Sequence, residues 1–165
     1  MSSQMNEVNV GMNKFCGPAV LSILTGRSTD ECARVISSIT GEYNIKGVML
    51  SHLLTAADRL GFDNEAVSHA TTLYGTLIRL SNTDGLYIVT VANHFVCIEV
   101  KDKIIYICDN HTKKPMPAGA SARLLQQVRN VNRVYKRREP IHISSKITCQ
   151  VRYVNDRIVV TVIEA

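Results

Sequence analysis

Residues 13–26 of the chain read NKFCGPAVLSILTG, and this stretch decides the fold that we expect. Pro18 suits the start of a helix, because the N–H that proline lacks has no helical partner there. Apolar residues at helical spacing follow, and Gly26 is typical of a helix C-terminal cap. Cys16 would then lie at a helix N-terminus, where free N–H groups and the helix dipole favour a thiolate. We therefore expect Cys16 to be a catalytic nucleophile.

The rest of the chain predicts an α+β fold in which helices come first and mostly antiparallel strands follow. Helical spacing and capping signals precede residue 85, and β-branched runs bounded by turn residues follow it. The predicted helices are residues 16–25, 28–40, 48–60, 71–80 and 120–130, and the predicted strands are 85–92, 94–100, 103–108, 147–154 and 157–163. We expect one domain over residues 1–165. Its catalytic motifs would lie in residues 1–112, and a basic C-terminal helix and β-hairpin in residues 113–165.

Composition limits the class of protein. The 165 residues suffice for one domain with a substantial core, and no apolar run of about 18 residues predicts a membrane span. The N-terminal residues lack the basic and apolar segments of a secretory signal. Five cysteines at wide spacings, an odd number, predict free thiols in a reducing compartment. We expect a cytoplasmic protein.

Charge is distributed unevenly along the chain. Residues 1–110 carry 8 Lys/Arg against 11 Asp/Glu, whereas residues 111–165 carry 11 against 3. The basic region predicts either a solvated face or a surface for nucleic acid or another acidic partner. Few aromatic residues lie among its arginines, which argues against base stacking and leaves salt-sensitive phosphate contacts.

A cysteine nucleophile needs an imidazole as its base and a third group that orients the imidazole. His94 starts one predicted strand, and Asp109 follows the next. A two-residue turn at residues 101–102 would place His94 directly opposite Asp109. Side chains in such a pair share one face of a sheet and lie close together, so we expect the carboxylate to orient the ring.

The order of these motifs resembles that of the papain-like cysteine peptidases. Cys-Gly-Pro begins a helix, His-Phe-Val-Cys-Ile lies on a strand, and Asp-Asn begins 15 positions after the histidine. The branch that it resembles is the bacteriocin-processing peptidase domains that remove double-glycine leaders, with stand-alone relatives that include phage-encoded ones. The resemblance covers the motifs around Cys16, His94 and Asp109 and the order of elements up to about residue 112, but not the basic C-terminal third. It implies a papain-like core, with Cys16 as the nucleophile, His94 as the general base and Asp109 as the orienting acid.

The same resemblance implies a thiol peptidase, or a related amide or thioester hydrolase, that acts on a protein or peptide through an acyl-enzyme. It implies no cofactor and no metal. A phage-encoded protein would be found in the host cytoplasm or the virion. The family usually has a glutamine six residues before the cysteine as an oxyanion donor, but this chain has Val10 there. Asn13 is our candidate for that role, with Asn9 and Gln4 as other amides nearby.

The sequence also allows other interpretations of these residues. Cys16 would also fit a core thiol, His94 a strand end, and Asp109 a turn. The pairs His94/Cys97 and Cys108/His111 have zinc-ligand spacing, but residues three apart on a strand point to opposite faces. We expect the cysteines other than Cys16 to be packing residues. A catalytically inactive papain-like module that binds a protein partner and a nucleic-acid-associated protein are the alternative functions.

Overall fold

The computed structural model describes residues 3–137, 141–142 and 147–164. Four helices lie in the first half of the chain: α1 Cys16–Thr25, α2 Thr29–Thr40, α3 Leu50–Arg59 and α4 Leu73–Leu80. The strands are β1 Phe62–Ala66, β2 Gly85–Val91, β3 His94–Lys101, β4 Ile104–Cys108, β5 Met116–Pro117, β6 Val128–Lys136, β7 Ile141–His142, β8 Ile147–Val154 and β9 Arg157–Glu164. A 3-10 turn spans Ala118–Ala120.

The helix boundaries follow from capping chemistry. Ser28 caps α2 by accepting a hydrogen bond from the N–H of Glu31, and Thr72 caps α4 in the same way. Gly26 and Gly41 end α1 and α2 with φ of 76° and 77°, a conformation that favours glycine. The predicted positions of α1 and α2 are therefore confirmed.

Six strands form one antiparallel sheet in the order β1-β6-β2-β3-β4-β5. Apolar side chains cover both faces of this sheet. Helices α1, α2 and α3 pack on one face around Leu21, Ile23 and Cys97, and α4 packs on the other around Leu77 and Ile98. This arrangement of N-terminal helices on a mostly antiparallel sheet confirms the α+β prediction.

The register between β3 and β4 differs from the prediction by two residues. The turn lies at Asp102 and Lys103, both with positive φ, so Val100 pairs with Ile105 and not with Lys103. His94 is therefore not directly opposite Asp109. Because side chains alternate with a period of two, a two-residue shift leaves every side chain on its predicted face.

The predicted helix over residues 120–130 is wrong. The chain makes turns there and then enters β6, a central strand that pairs with both β1 and β2. The register against β2 shifts at Thr90 and Val91, which leaves Arg129 as an extra residue in β6. This bulge places Val128 and Val131, three residues apart, in the same apolar cluster. A three-residue apolar spacing is typical of a helix, and here a bulged strand produces it.

The C-terminal hairpin is confirmed. β8 and β9 pair throughout, and the turn residues Asn155 and Asp156 both have positive φ, as the predicted two-residue turn requires. The hairpin is tied to the rest of the chain by ion pairs of Arg152 with Asp63 at 3.2 Å and of Arg133 with Asp156. The side chain of Cys149 and residues 138–140, part of the predicted basic connector, lie outside the described residues.

Among the described residues, no helix combines the length and the apolar character that crossing a membrane requires.

Candidate active site

Cys16 is the first residue of α1 and is half-buried. The loop before it is held by Asp30 of α2, whose carboxylate accepts hydrogen bonds from the N–H groups of Met12 and Asn13 at 3.0–3.1 Å. The residue after it, Gly17, faces Val48 so closely that a Cβ would lie 2.6 Å from a methyl carbon. These contacts fix the position of Cys16 at the start of α1.

His94 and Asp109 meet at the open end of the β3–β4 hairpin. His94 is the first residue of β3, directly after a two-residue turn, and Asp109 follows the last residue of β4. The ring Nε2 of His94 lies 2.9 Å from Oδ2 of Asp109. The two side chains therefore form the contact that was predicted, although they are diagonal and not directly opposed.

Asp109 is almost fully buried, and both oxygens of its carboxylate have hydrogen-bond partners. The N–H groups of His111 and Thr112 donate to Oδ1, each at 2.8 Å. His94 contacts the other oxygen, Oδ2. Burial raises the pKa of Asp109, but the hydrogen bonds from His94 and from the Thr112 and His111 N–H groups lower it more, so that the pKa falls well below its ordinary value. Asp109 is ionised near neutral pH.

The thiol of Cys16 and the ring of His94 are close enough for each to shift the pKa of the other. Because Nε2 contacts Asp109, Nδ1 is the ring nitrogen left to exchange a proton with Cys16. Burial raises the pKa of Cys16, but the His94 ring and the N–H groups of Phe95 and of Cys16 itself lower it more, and the net pKa is below its ordinary value. The three predicted residues Cys16, His94 and Asp109 therefore lie together in one row, with His94 between the thiol and the carboxylate that it contacts.

The pKa of His94 is raised overall. Burial lowers it, the hydrogen bonds to Asp109 and Cys16 raise it by more, and the positive charge of Arg123 lowers it again. A lowered thiol pKa beside a raised imidazole pKa favours proton transfer from sulfur to nitrogen. The arrangement can therefore hold a thiolate next to an imidazolium.

Two residues at the site were missed by the sequence reasoning. The ring of His111 stacks on that of His94 with centroids 5.4 Å apart and planes 27° from parallel. Nε of Arg123 lies 3.2 Å from Oδ2 of Asp109, the same oxygen that His94 contacts. Arg123 falls within residues 120–130, for which the predicted helix does not form. No local signal in the sequence marks it, because a turn outside the sheet brings it to the site.

Of the amides considered as oxyanion donors, those of Asn13 and Asn9 are engaged in other contacts, and Gln4 lies along β3 away from His94. Asn13 donates from Nδ2 to the carbonyl of Ile45 and accepts the N–H of Phe15, both at 3.0 Å. Asn9 donates to the carbonyl of Gly26 at 3.3 Å. The N–H of Gln4 donates to Glu99, which lies five residues along β3 from His94, or about 17 Å at the usual rise of a strand. The Asn13 side chain thus fixes the loop before Cys16.

The zinc alternative is not compatible with the strand geometry. Cys97 and Cys108 are directly paired across β3 and β4, and both are buried in the cluster on the α1 face. His94 lies on the opposite face of β3 by strand alternation. Among the described residues, no group of three or more His, Cys, Asp or Glu side chains is placed to hold a metal ion. The four described cysteines carry free thiols.

Four arginines of the basic region form ion pairs with acidic residues of the fold. Arg123 pairs with Asp109, Arg137 and Arg152 both pair with Asp63, and the buried Arg133 pairs with Asp156. Most of these acids lie in the acidic first part of the chain. Ion pairs across the fold thus account for part of the charge asymmetry, and we propose no nucleic-acid or acidic partner for this region.

Comparison with solved structures finds a similar protein, the double-glycine-motif protease from an AMS/PCAT transporter, which was crystallised in complex with the leader peptide. The match covers 77% of this chain and 87% of that one, with 18% sequence identity and a TM-score of 0.47. No protein-family model and no curated protein sequence matches the chain.

Proposed function

We propose that this protein is a cysteine peptidase, or a related amide or thioester hydrolase, that forms an acyl-enzyme on Cys16. The observation that carries the proposal is the row from the half-buried Cys16 thiol through the His94 ring to the buried Asp109 carboxylate, with 2.9 Å between Nε2 and Oδ2. A nucleophile, a base and an orienting acid in contact are the minimum for covalent acyl transfer.

In the first half of the reaction, the Cys16 thiolate attacks the substrate carbonyl carbon and forms a C–S bond. The protonated His94 gives the proton on Nδ1 to the leaving amine or thiol as the C–N or C–S bond to the leaving group breaks. Asp109 stays ionised, keeps the ring oriented through Nε2 and stabilises its positive charge. The product of this half is a thioester on Cys16.

In the second half, neutral His94 takes a proton from water as the water oxygen attacks the thioester carbon. The C–S bond then breaks, the carboxylic acid leaves, and the sulfur departs as the thiolate beside the protonated ring. The starting ion pair is thereby restored, with every proton accounted for.

The negative charge on the carbonyl oxygen needs hydrogen-bond donors. The N–H of Cys16 is a donor candidate, because the first N–H groups of a helix have no partner within the helix. Since the Asn13 amide is engaged with Ile45 and Phe15, we assign the backbone the main part of this task. The site would then depend more on the α1 N-terminus than a site with a glutamine donor does.

A protein or peptide is the substrate class that the surroundings of Cys16 favour. A cleft of about 550 Å³ lies on the Phe15 side and is lined by Met12, Phe15 and Tyr43 among others. A second cleft of about 410 Å³ lies on the Asp109 side and includes His111 and Gln126. One cleft includes the residue before Cys16 and the other includes the partner of His94, and two separate clefts near the reacting groups suit a substrate that extends beyond the bond that is cleaved.

The proposal is tested with a peptidyl vinyl sulfone, an electrophile that reacts with activated cysteines. We expect rapid labelling of the wild type at one site, mapped to Cys16 by peptide mass spectrometry, and none in Cys16→Ala. His94→Ala should label at least about 10²-fold more slowly. His52→Ala, which removes a histidine from α3, serves as the matched control and should label like the wild type. Equal labelling of His94→Ala and wild type would refute the role of His94.

A catalytically inactive module that binds a protein partner is the second candidate. It is favoured by one observation, namely that Val10 and the engaged Asn13 amide leave the thiol without an evident side-chain oxyanion donor. Such a module would fold and bind peptides but would not hydrolyse a peptide thioester. Intact-protein mass spectrometry during incubation with a peptide thioester separates the two candidates, because only the enzyme becomes acylated, releases the acid and then returns to its original mass.

A further inference from the structure

Arg123 and His94 contact the same carboxylate oxygen of Asp109. Oδ2 of Asp109 receives Nε2 of His94 at 2.9 Å and Nε of Arg123 at 3.2 Å, while the other carboxylate oxygen is occupied by two backbone N–H groups. Every acceptor position of this buried carboxylate is therefore in use. The guanidinium and the imidazole compete for the same negative charge.

The loop that carries Arg123 is held by backbone hydrogen bonds that do not involve Asp109. The N–H of Arg123 donates to Ser121 at 3.1 Å, and its carbonyl accepts the N–H of Gln126 at 2.9 Å. The loop is also fastened to α4, where the N–H groups of Leu73 and Tyr74 donate to loop carbonyls. The side chain of Arg123 is thus presented to Asp109 by a backbone that is held independently.

We propose that Arg123 is a positioning residue that shares Asp109 with His94 and so limits how firmly Asp109 holds the protonated ring. The inference rests on the proposed function. His94 must give up its proton to the leaving group, and a ring held too firmly in its protonated form is a weaker acid. A positive charge on the far side of the carboxylate reduces that hold and keeps the ring able to donate.

The groups that surround His94 are few enough to make this testable. The titratable and charged side chains that face it are Cys16 of α1, Asp109 and His111 after β4, and Arg123 of the loop. Of these, Arg123 is the one whose positive charge lowers the pKa of His94. Removing the charge should therefore raise that pKa, whereas replacing it with another cation should not.

The test measures inactivation by a peptidyl epoxide across pH. Opening the epoxide needs both the thiolate and a proton from the imidazolium, so the rate is bell-shaped and its basic limb reports His94. Arg123→Gln should move the basic limb to higher pH and lower the maximal rate about tenfold. Arg123→Lys should keep the wild-type limb, and Arg129→Gln, which removes an exposed charge from β6, should superimpose on the wild type.

A second readout does not depend on activity. NMR titration of the His94 ring in a Cys16→Ala background should give a higher midpoint when Arg123→Gln is added. Arg123→Met, which keeps most of the apolar stem, replaces Arg123→Gln if that variant unfolds. An unmoved or lowered midpoint in the folded variant overturns the inference. A wild type that no epoxide inactivates at any pH counts against the proposed function instead, and the NMR result still decides the role of Arg123.

Discussion

His94 and Asp109 are in contact although the strands that carry them are not in the register that would oppose them directly. Nε2 and Oδ2 lie 2.9 Å apart, while the last regular pair of the β3–β4 ladder is Cys97 with Cys108. The ladder ends before it reaches His94, and the two side chains approach diagonally across its open end. The contact depends on the turn after β4, where two N–H groups bind the other oxygen of Asp109.

Asp109→Asn should lower the rate of Cys16 acylation about 10²- to 10⁴-fold. The amide keeps the shape of the carboxylate but loses the charge that stabilises the protonated His94 ring. The measurement is the second-order rate with a peptidyl vinyl sulfone. Asp102→Asn, in the exposed β3–β4 turn, is the control and should react like the wild type. A rate within threefold of the wild type for Asp109→Asn would show that the site works without this acid.

Asp109 should also make folding stability fall in acid. Its pKa is lower in the folded chain than in the unfolded one, so the ionised carboxylate stabilises the fold above the unfolded-state pKa of about 3.9. That stabilisation is lost as the pH falls below this value towards the folded-state pKa. Urea denaturation at pH 6 and pH 3 should show the wild type losing more of its free energy of unfolding than Asp109→Asn does. Equal losses would mean that the carboxylate is not perturbed.

Asn13→Ala should act mainly on stability. The change removes the hydrogen bonds to Ile45 and Phe15, and we expect the free energy of unfolding to fall by about 1–2 kcal/mol. The acylation rate of the folded variant should fall less than tenfold. A loss of about 10²–10³ at unchanged stability would identify Asn13 as the oxyanion donor and our backbone assignment as wrong.

Gly17→Ala should destabilise the fold by about 1–3 kcal/mol, because the added Cβ would lie 2.6 Å from a methyl carbon of Val48. Thermal unfolding measures the loss. Combining Gly17→Ala with Val48→Ala removes the facing methyl groups and should cost less than the sum of the two single changes. An additive double variant would show that the close approach of α1 to Val48 is not what requires glycine at this position.

The parts of the fold that the sequence predicts well are those set by local chemistry. Helix α1 and the cap of α2 follow from Pro18, Gly26 and Ser28, and the β8–β9 turn follows from Asn155-Asp156. The parts that it misses depend on distant pairing. The helical spacing of Val128 and Val131 arises from a bulge against β2, which no local pattern distinguishes from a helix.

The residues of the candidate site also fall into two groups, those that the local sequence marks and those that it does not. Cys16 is marked by its place before Gly-Pro, and His94 and Asp109 by their places at strand ends. The two-residue error in register was harmless because it left both side chains on one face. Arg123 and His111 reach the site through turns whose path is set by tertiary packing, so their sequence context carries no sign of their contacts.

The central claim is that Cys16 and His94 share a proton as an activated pair, and the pKa of the Cys16 thiol tests it most directly. It is measured in a Cys149→Ser background from the pH dependence of thiolate absorbance and of iodoacetamide alkylation. Two of the other thiols, Cys32 and Cys108, are shielded by burial, which raises their pKa to about 11. We expect one thiol to titrate below its ordinary pKa in the wild type and at a higher pH in His94→Ala, where only the N–H groups of Phe95 and Cys16 still oppose the effect of burial. A Cys16 pKa that is ordinary in the wild type and unchanged in His94→Ala would contradict the account.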